Sequence, residues 1–236
     1  MKADHIPDKG PGEKLLFIFL LSVAFGFLEA ATVIYLRSMY YPGGFSFPLN
    51  SFLDLHIYFV EILREAATML IIFSAAALCW KDLKRRFLTF FLIFGIWDIF
   101  YYVFLKIFLD WPAVMSEFDV LFLIPITWTG PVWAPVCVSV IFIASALFHF
   151  KRPGKISILN YGLFLGGLFL IYFSFTIDYY AFLRAHDFFS NPTVAFGRQI
   201  VSAYVPGRFP VEIFIPGTVL VLTIFFDLGK RKPRAQ

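Results

Sequence analysis

The chain has 236 residues, of which 60% are hydrophobic and 15% charged, with 33 phenylalanines. Soluble domains carry roughly 25% charged residues, so this composition excludes a water-soluble fold and points to an integral membrane protein embedded in the lipid bilayer. The net charge of +4 comes from short basic clusters between apolar runs, a topology pattern that excludes nucleic acid as a partner.

A helix of about 20 residues crosses an apolar slab of ~30 Å. Six segments meet this need, at 15–36, 57–80, 87–109, 124–150, 158–183 and 211–228. In lipid every backbone group must bond within the protein, and tracts such as 87–94 lack the alternation of a barrel strand. The predicted fold is therefore all-α: a polytopic bundle of six transmembrane helices forming one domain over 15–228. The first run is too long for the core of a cleavable signal, and no small-residue cleavage site follows it.

The tail at 1–14 carries Lys2, Lys9 and Lys14. The second loop carries Lys81, Lys84, Arg85 and Arg86, and the fourth Lys151, Arg152 and Lys155. The basic tail at 229–236 carries Lys230, Arg231, Lys232 and Arg234. All fall on one side of a six-span arrangement, which predicts that both termini are cytoplasmic. The outer loops are then 38–56, 110–130 and 185–210. The second of these holds Trp111-Pro112 and Asp119 and runs into Pro125, Gly130, Pro131 and Pro135, which break a regular helix start. The segment 124–135 is expected to dip into the interface or re-enter the membrane. Cys79 and Cys137 are not expected to form a disulfide.

Six ionisable residues lie inside the apolar runs: Glu29, Glu61, Arg64, Glu65, Asp98 and Asp178. A charge in hydrocarbon costs at least ~2.5–3.5 kcal/mol, so such residues face a polar cavity or one another. Glu61 and Glu65 are four apart on one helical face with Arg64 beside them, and Asp98 shares a face with Tyr101 and Tyr102. At ~1.5 Å rise per residue, the acids lie roughly 6–13 Å inward from the outer flanking residues. The prediction is a shared acid-rich pocket in the outer half of the bilayer, binding through Glu29, Glu61, Arg64, Glu65, Asp98, Tyr101, Tyr102 and Asp178. Independent hydrogen bonds between helices are the plainer alternative.

Three rising helices end alike, at Tyr35-Leu36-Arg37, at Tyr102 with Lys106, and at Tyr180 with Arg184. An aromatic belt with snorkelling cations explains these endings, and places Arg37, Lys106, Arg184 and also Glu212 at the outer interface. Gly166-Gly167 is read as a close helix contact, and Pro216-Gly217 as a kink or break. Histidine is absent mid-span: His56 and His186 lie near outer ends, His149 at an inner end and His5 in the tail. Haem is therefore disfavoured, whereas carboxylates suit protons or hard cations such as Mg, Ca or Mn. Familiar catalytic motifs are missing.

The strings Glu61-Ile62-Leu63-Arg64-Glu65-Ala66-Ala67-Thr68, Trp97-Asp98-Ile99-Phe100-Tyr101-Tyr102 and Leu123-Ile124-Pro125 with Trp128-Thr129-Gly130-Pro131-Val132 resemble those of bacterial six-span integral membrane proteins. The resemblance covers the second to fourth spans, brings no activity with it, and implies a bacterial cytoplasmic (inner) membrane location. Three functions fit the residues. The first is binding or transport of a cation, proton or small polar solute. The second is a membrane-embedded enzyme acting on a lipid or quinone-like substrate near the periplasmic face. The third is an accessory subunit, in which the acids meet a membrane-protein partner or a second copy in a homo-oligomer.

Overall fold

The computed structural model describes residues 10–49, 55–152, 156–190 and 193–225. The chain is mostly helical. Five helices among the described residues are long and apolar enough to cross a membrane: α1 (Pro11–Tyr40), α2 (Leu55–Cys79), α3 (Leu83–Leu109), α4 (Trp133–Phe150) and α5 (Ile158–Ala185). A short helix α6 (Val194–Val201) follows, then α7 (Val211–Leu222), which runs into a 3-10 turn at Thr223–Phe225. The sixth predicted span is thus a shorter apolar helix within the described residues; positions 226–228 lie outside them. So do Lys2, His5, Lys9, Lys155, Asp227 and the whole basic tail at 229–236.

One segment departs from the all-helical reading. Residues 118–131 form an antiparallel hairpin of β1 (Phe118–Phe122) and β2 (Trp128–Pro131), and α4 starts at Trp133 instead of at 124. The physical reason lies in the prolines. Pro125 and Pro131 cannot donate the backbone bonds of a helix interior, whereas Pro135 falls in the first turn of α4, where its missing N–H costs nothing. The strand pairing sets Asp119 opposite Gly130 and Val120 opposite Thr129, with an irregularity between Val120 and Phe122.

Helix α3 is central, packing against α1, α2 and α4, while α5 pairs with α7 and rests on β2. Side-chain caps start two of these helices: Asp82 accepts from the Arg85 N–H and Ser157 from the Asn160 N–H. The core between α3, α4 and α5 is a phenylalanine cluster, with the Phe91 ring 4.7 Å from Phe142 and 4.9 Å from Phe164. Edge-to-face rings fill such a core without polar atoms. Both cysteines are free.

Glycine sets two of the crossings. A Cβ on Gly26 would sit 2.8 Å from the Trp97 carbonyl oxygen, so α1 approaches α3 at this point as only a glycine allows. Gly167 and Gly217 face each other: a Cβ on Gly167 would lie 2.6 Å from the Gly217 carbonyl oxygen, while one on Gly166 would meet nothing within 4 Å. The close contact read from the Gly166-Gly167 pair therefore belongs to Gly167, and Pro216 places its partner in α7. Gly167→Ala is expected to lose about 1–3 kcal/mol of stability to overpacking. Gly166→Ala should stay within ~0.5 kcal/mol of the parent or gain from better helix propensity. Thermal unfolding in detergent compares the two, and equal effects would contradict the packing.

Candidate functional site

A cavity of about 160 Å³ lies among α1, α2, α3 and the hairpin. Its floor and sides bring together Glu29 from α1, Glu61, Arg64 and Glu65 from α2, and Asp98, Tyr101 and Tyr102 from α3. Helical periodicity explains the local part of this arrangement. Glu61, Glu65 and Thr68 belong to the buried face that α2 turns toward α3, and Arg64 stands at its edge. Across the cavity, Tyr41 and Phe45 from the segment after α1 contribute apolar wall, as do Val120 and Leu121 of β1.

Two ion-pair systems organise the site. The Arg64 guanidinium donates through Nε to Glu61 Oε2 at 2.8 Å and through Nη1 to Glu29 Oε2, so one cation joins α2 to α1. Its side chain is 24% exposed, against 15% for Glu29. The second system is Arg37 with Asp119: Nη2 donates to Oδ1 at 2.8 Å, with both side chains almost wholly buried. The Arg37 guanidinium lies over the Phe45 ring at 4.3 Å and the Trp111 ring at 3.9 Å. Flat cations desolvate favourably between aromatic faces.

Arg37 is therefore not the interfacial cation its place in Tyr35-Leu36-Arg37 implied. Aromatic residues from the segments after α1 and after α3 cover it, and a hairpin carboxylate neutralises it. Asp119 also accepts from its neighbour's backbone, the Val120 N–H, at 2.9 Å and from the Tyr101 hydroxyl at 3.3 Å. Burial pushes its carboxyl above the usual range, against the opposing pull of Arg37, the Val120 N–H and the two tyrosine hydroxyls. Their pairing was not readable from the sequence, because it spans 82 positions and needs the hairpin to exist. The one available clue was an acid between apolar residues in a Trp/Pro-rich loop.

Glu65 and Asp98 are held differently. Glu65 Oε2 accepts the Leu123 backbone N–H at 2.8 Å, tying α2 to the hairpin turn. Asp98 Oδ2 accepts from the Ser139 hydroxyl at 2.8 Å, tying α3 to α4. Among the described residues neither carboxylate makes an ion pair, although the Arg64 charge acts on Glu65. Also among the described residues, no three His, Cys, Asp or Glu side chains converge in a metal-binding arrangement.

Asp178 stands apart from this cavity. Its Oδ2 accepts from the Tyr204 hydroxyl at 2.8 Å and from the Gly207 N–H at 3.0 Å. Tyr204, fully buried, meets the Thr129 hydroxyl at 2.8 Å. Burial pushes the Tyr204 phenol well above its ordinary range, so it remains a donor. A Cβ on Gly207 would sit 2.9 Å from Asp178 Oδ1, so glycine lets the loop close on the acid. Asp178 thus fastens the hairpin and the loop before α7 to α5. Asp178→Ala is expected to cost about 1–3 kcal/mol by orphaning two donors, while Asp178→Asn, which keeps an acceptor, should recover most of it. Equal unfolding temperatures for the two variants would refute this assignment.

The remaining nominated charges lie at or beyond the helix ends. Lys106 pairs with Asp110 at 2.7 Å and Arg208 with Glu212 at 3.3 Å, all four in exposed positions; Arg184 is exposed as well. Such surface pairs contribute ~0–1 kcal/mol and no site.

No family model, no curated protein and no solved structure matches this chain.

Proposed function

We propose that this chain is a six-span protein of the bacterial inner membrane, with both termini cytoplasmic, that binds and transports a small cationic or protonatable solute through the cavity bounded by α1, α2, α3 and the hairpin. The basic clusters at Lys81–Arg86 and at Lys151 and Arg152 support this orientation, since they flank the ends of α2 and α4 away from the hairpin. The cavity then sits in the outer half of the bilayer, under a hairpin lid.

The observation that carries the reading is the charge inventory. Arg37 is committed to Asp119, and Arg64 is shared by Glu29 and Glu61. Glu65 and Asp98 line the same cavity with neutral partners. Among the described residues Asp98 has no counter-charge, and Glu65 has only the field of Arg64, which already bridges two other acids; a proton or a cationic guest offsets the cost of burying them.

Proteoliposomes provide the test. The protein should accelerate proton entry, or uptake from a labelled mixture of small cationic solutes, relative to protein-free vesicles. Glu65→Gln and Asp98→Asn should each lower that rate by about tenfold or more, which corresponds to ~1.4 kcal/mol. Undiminished flux in both variants would remove the reading.

A further inference from the structure

The end of the bundle away from the hairpin gathers cations from separate helices around one indole. Trp80 follows α2 and is only 7% exposed. Its Nε1 donates to the Thr89 hydroxyl at 2.8 Å, which fixes the ring against α3. Lys14 of α1 places its ammonium 5.1 Å from the centre of that ring, and Arg85 of α3 places its guanidinium at 4.9 Å. Arg86 donates through Nε to the Trp80 carbonyl at 2.6 Å. Lys84 donates to the Arg152 carbonyl at 3.0 Å and so ties the start of α3 to the end of α4.

A loop that merely fixes topology needs charge without arrangement. Here one ring holds two cations from two helices; each is attracted to the ring, and they repel one another. An anion beside Trp80 offsets that repulsion. The Arg85 guanidinium is exposed and makes no ion pair among the described residues. Asp82, the acid of this loop, accepts the Arg85 backbone N–H as a helix cap. A guanidinium with an ammonium suits phosphate oxygens in charge and in hydrogen bonding. The surface that leads from this cluster into the membrane is apolar. Phe17 and Leu21, three and seven residues after Lys14 on the same face of α1, are 50% and 41% exposed. A cationic head over an apolar track matches an amphiphile, where a soluble anion would use the head alone.

We propose that Trp80, Lys14 and Arg85 form a binding site for the phosphate of an anionic phospholipid, with an acyl chain along Phe17 and Leu21. In the orientation given above this is a lipid of the cytoplasmic leaflet. The site is independent of what the cavity carries.

Native mass spectrometry of the purified full chain, exchanged into micelles that hold phosphatidylglycerol or phosphatidylcholine, tests the idea. The protein should retain a single phosphatidylglycerol through a wash in salt that shortens the Debye length to about 3 Å, and no phosphatidylcholine. Lys14→Gln with Arg85→Gln should lower that affinity about tenfold or more, and Arg85→Gln alone several-fold. Should the double variant fail to fold, Arg85→Gln at its exposed position decides. Lys106→Gln with Arg208→Gln removes as much charge elsewhere and should leave retention unchanged. Excess inorganic phosphate, which lacks acyl chains, should not displace the lipid. Undiminished retention when Lys14 and Arg85 are changed, equal retention of the two lipids, or complete loss in high salt overturns the proposal. Displacement by inorganic phosphate overturns it too, and assigns a soluble anion instead.

Discussion

Asp119→Ala should destabilise the protein by about 3–5 kcal/mol, the range for removing one partner of a buried ion pair. The substitution leaves the Arg37 guanidinium, only 7% exposed, between two aromatic rings with no carboxylate to neutralise it. It also frees the hairpin from α1, because Asp119 is the hairpin residue that bonds Arg37. Removing both charges together, as Arg37→Met with Asp119→Leu, should restore most of the loss. The sign of the pH effect sharpens this expectation. Burial raises the folded-state pKa of Asp119 above its unfolded value, so the folded chain holds this proton more readily. That contribution to stability is complete below the unfolded pKa and fades as pH rises through the folded one. The parent should therefore lose stability relative to the apolar double variant as pH rises. Denaturant unfolding in detergent checks all three proteins. A loss below ~1 kcal/mol for Asp119→Ala alone would show that the pair does not hold the hairpin.

Arg64→Met carries the second large effect. Arg64 is the cation that Glu29 and Glu61 share, so its removal leaves two carboxylates on adjacent helices facing one cavity. The expected cost is again about 3–5 kcal/mol, with like-charge repulsion added to the desolvation of each acid. Adding Glu29→Gln should return more than half of it, since one repelling charge disappears and α1 keeps a hydrogen-bonding side chain. Arg64→Lys should fall between, because a point ammonium cannot present the two directed donors that Nε and Nη1 supply. Melting temperatures across the series give the ranking. A Glu29→Gln change that fails to rescue Arg64→Met would mean that α1 and α2 are held together by other contacts.

The five long helices were legible because their cause is local. A run of about 20 apolar residues is a helix in lipid whatever else the chain does. The faces of Glu61 with Glu65, and of Asp98 with Tyr101 and Tyr102, were legible for the same reason: 3.6 residues per turn assigns neighbours without tertiary information. Direction around the helix axis was not legible. Asp178, like Asp98, precedes a basic residue near the end of its helix, but α5 pairs with α7 and β2, which turns its carboxylate toward Tyr204 and Gly207.

The hairpin marks the other limit. Its strands lie in an apolar, proline-broken stretch that satisfies neither helical nor alternating periodicity, so local patterning could exclude a helix there without naming what replaces it. The Arg37–Asp119 pair depends on that hairpin and so was hidden with it. By itself, then, the sequence determined that the protein is a helical membrane protein and that acids interrupt the apolar runs of α1, α2 and α3, since length, hydropathy and helical pitch act within one segment. Only the tertiary structure decided which of those acids share a cavity, which cation belongs to each, and that a hairpin closes over them. Those outcomes depend on helix rotation and on contacts between residues far apart in the chain, which no single segment encodes.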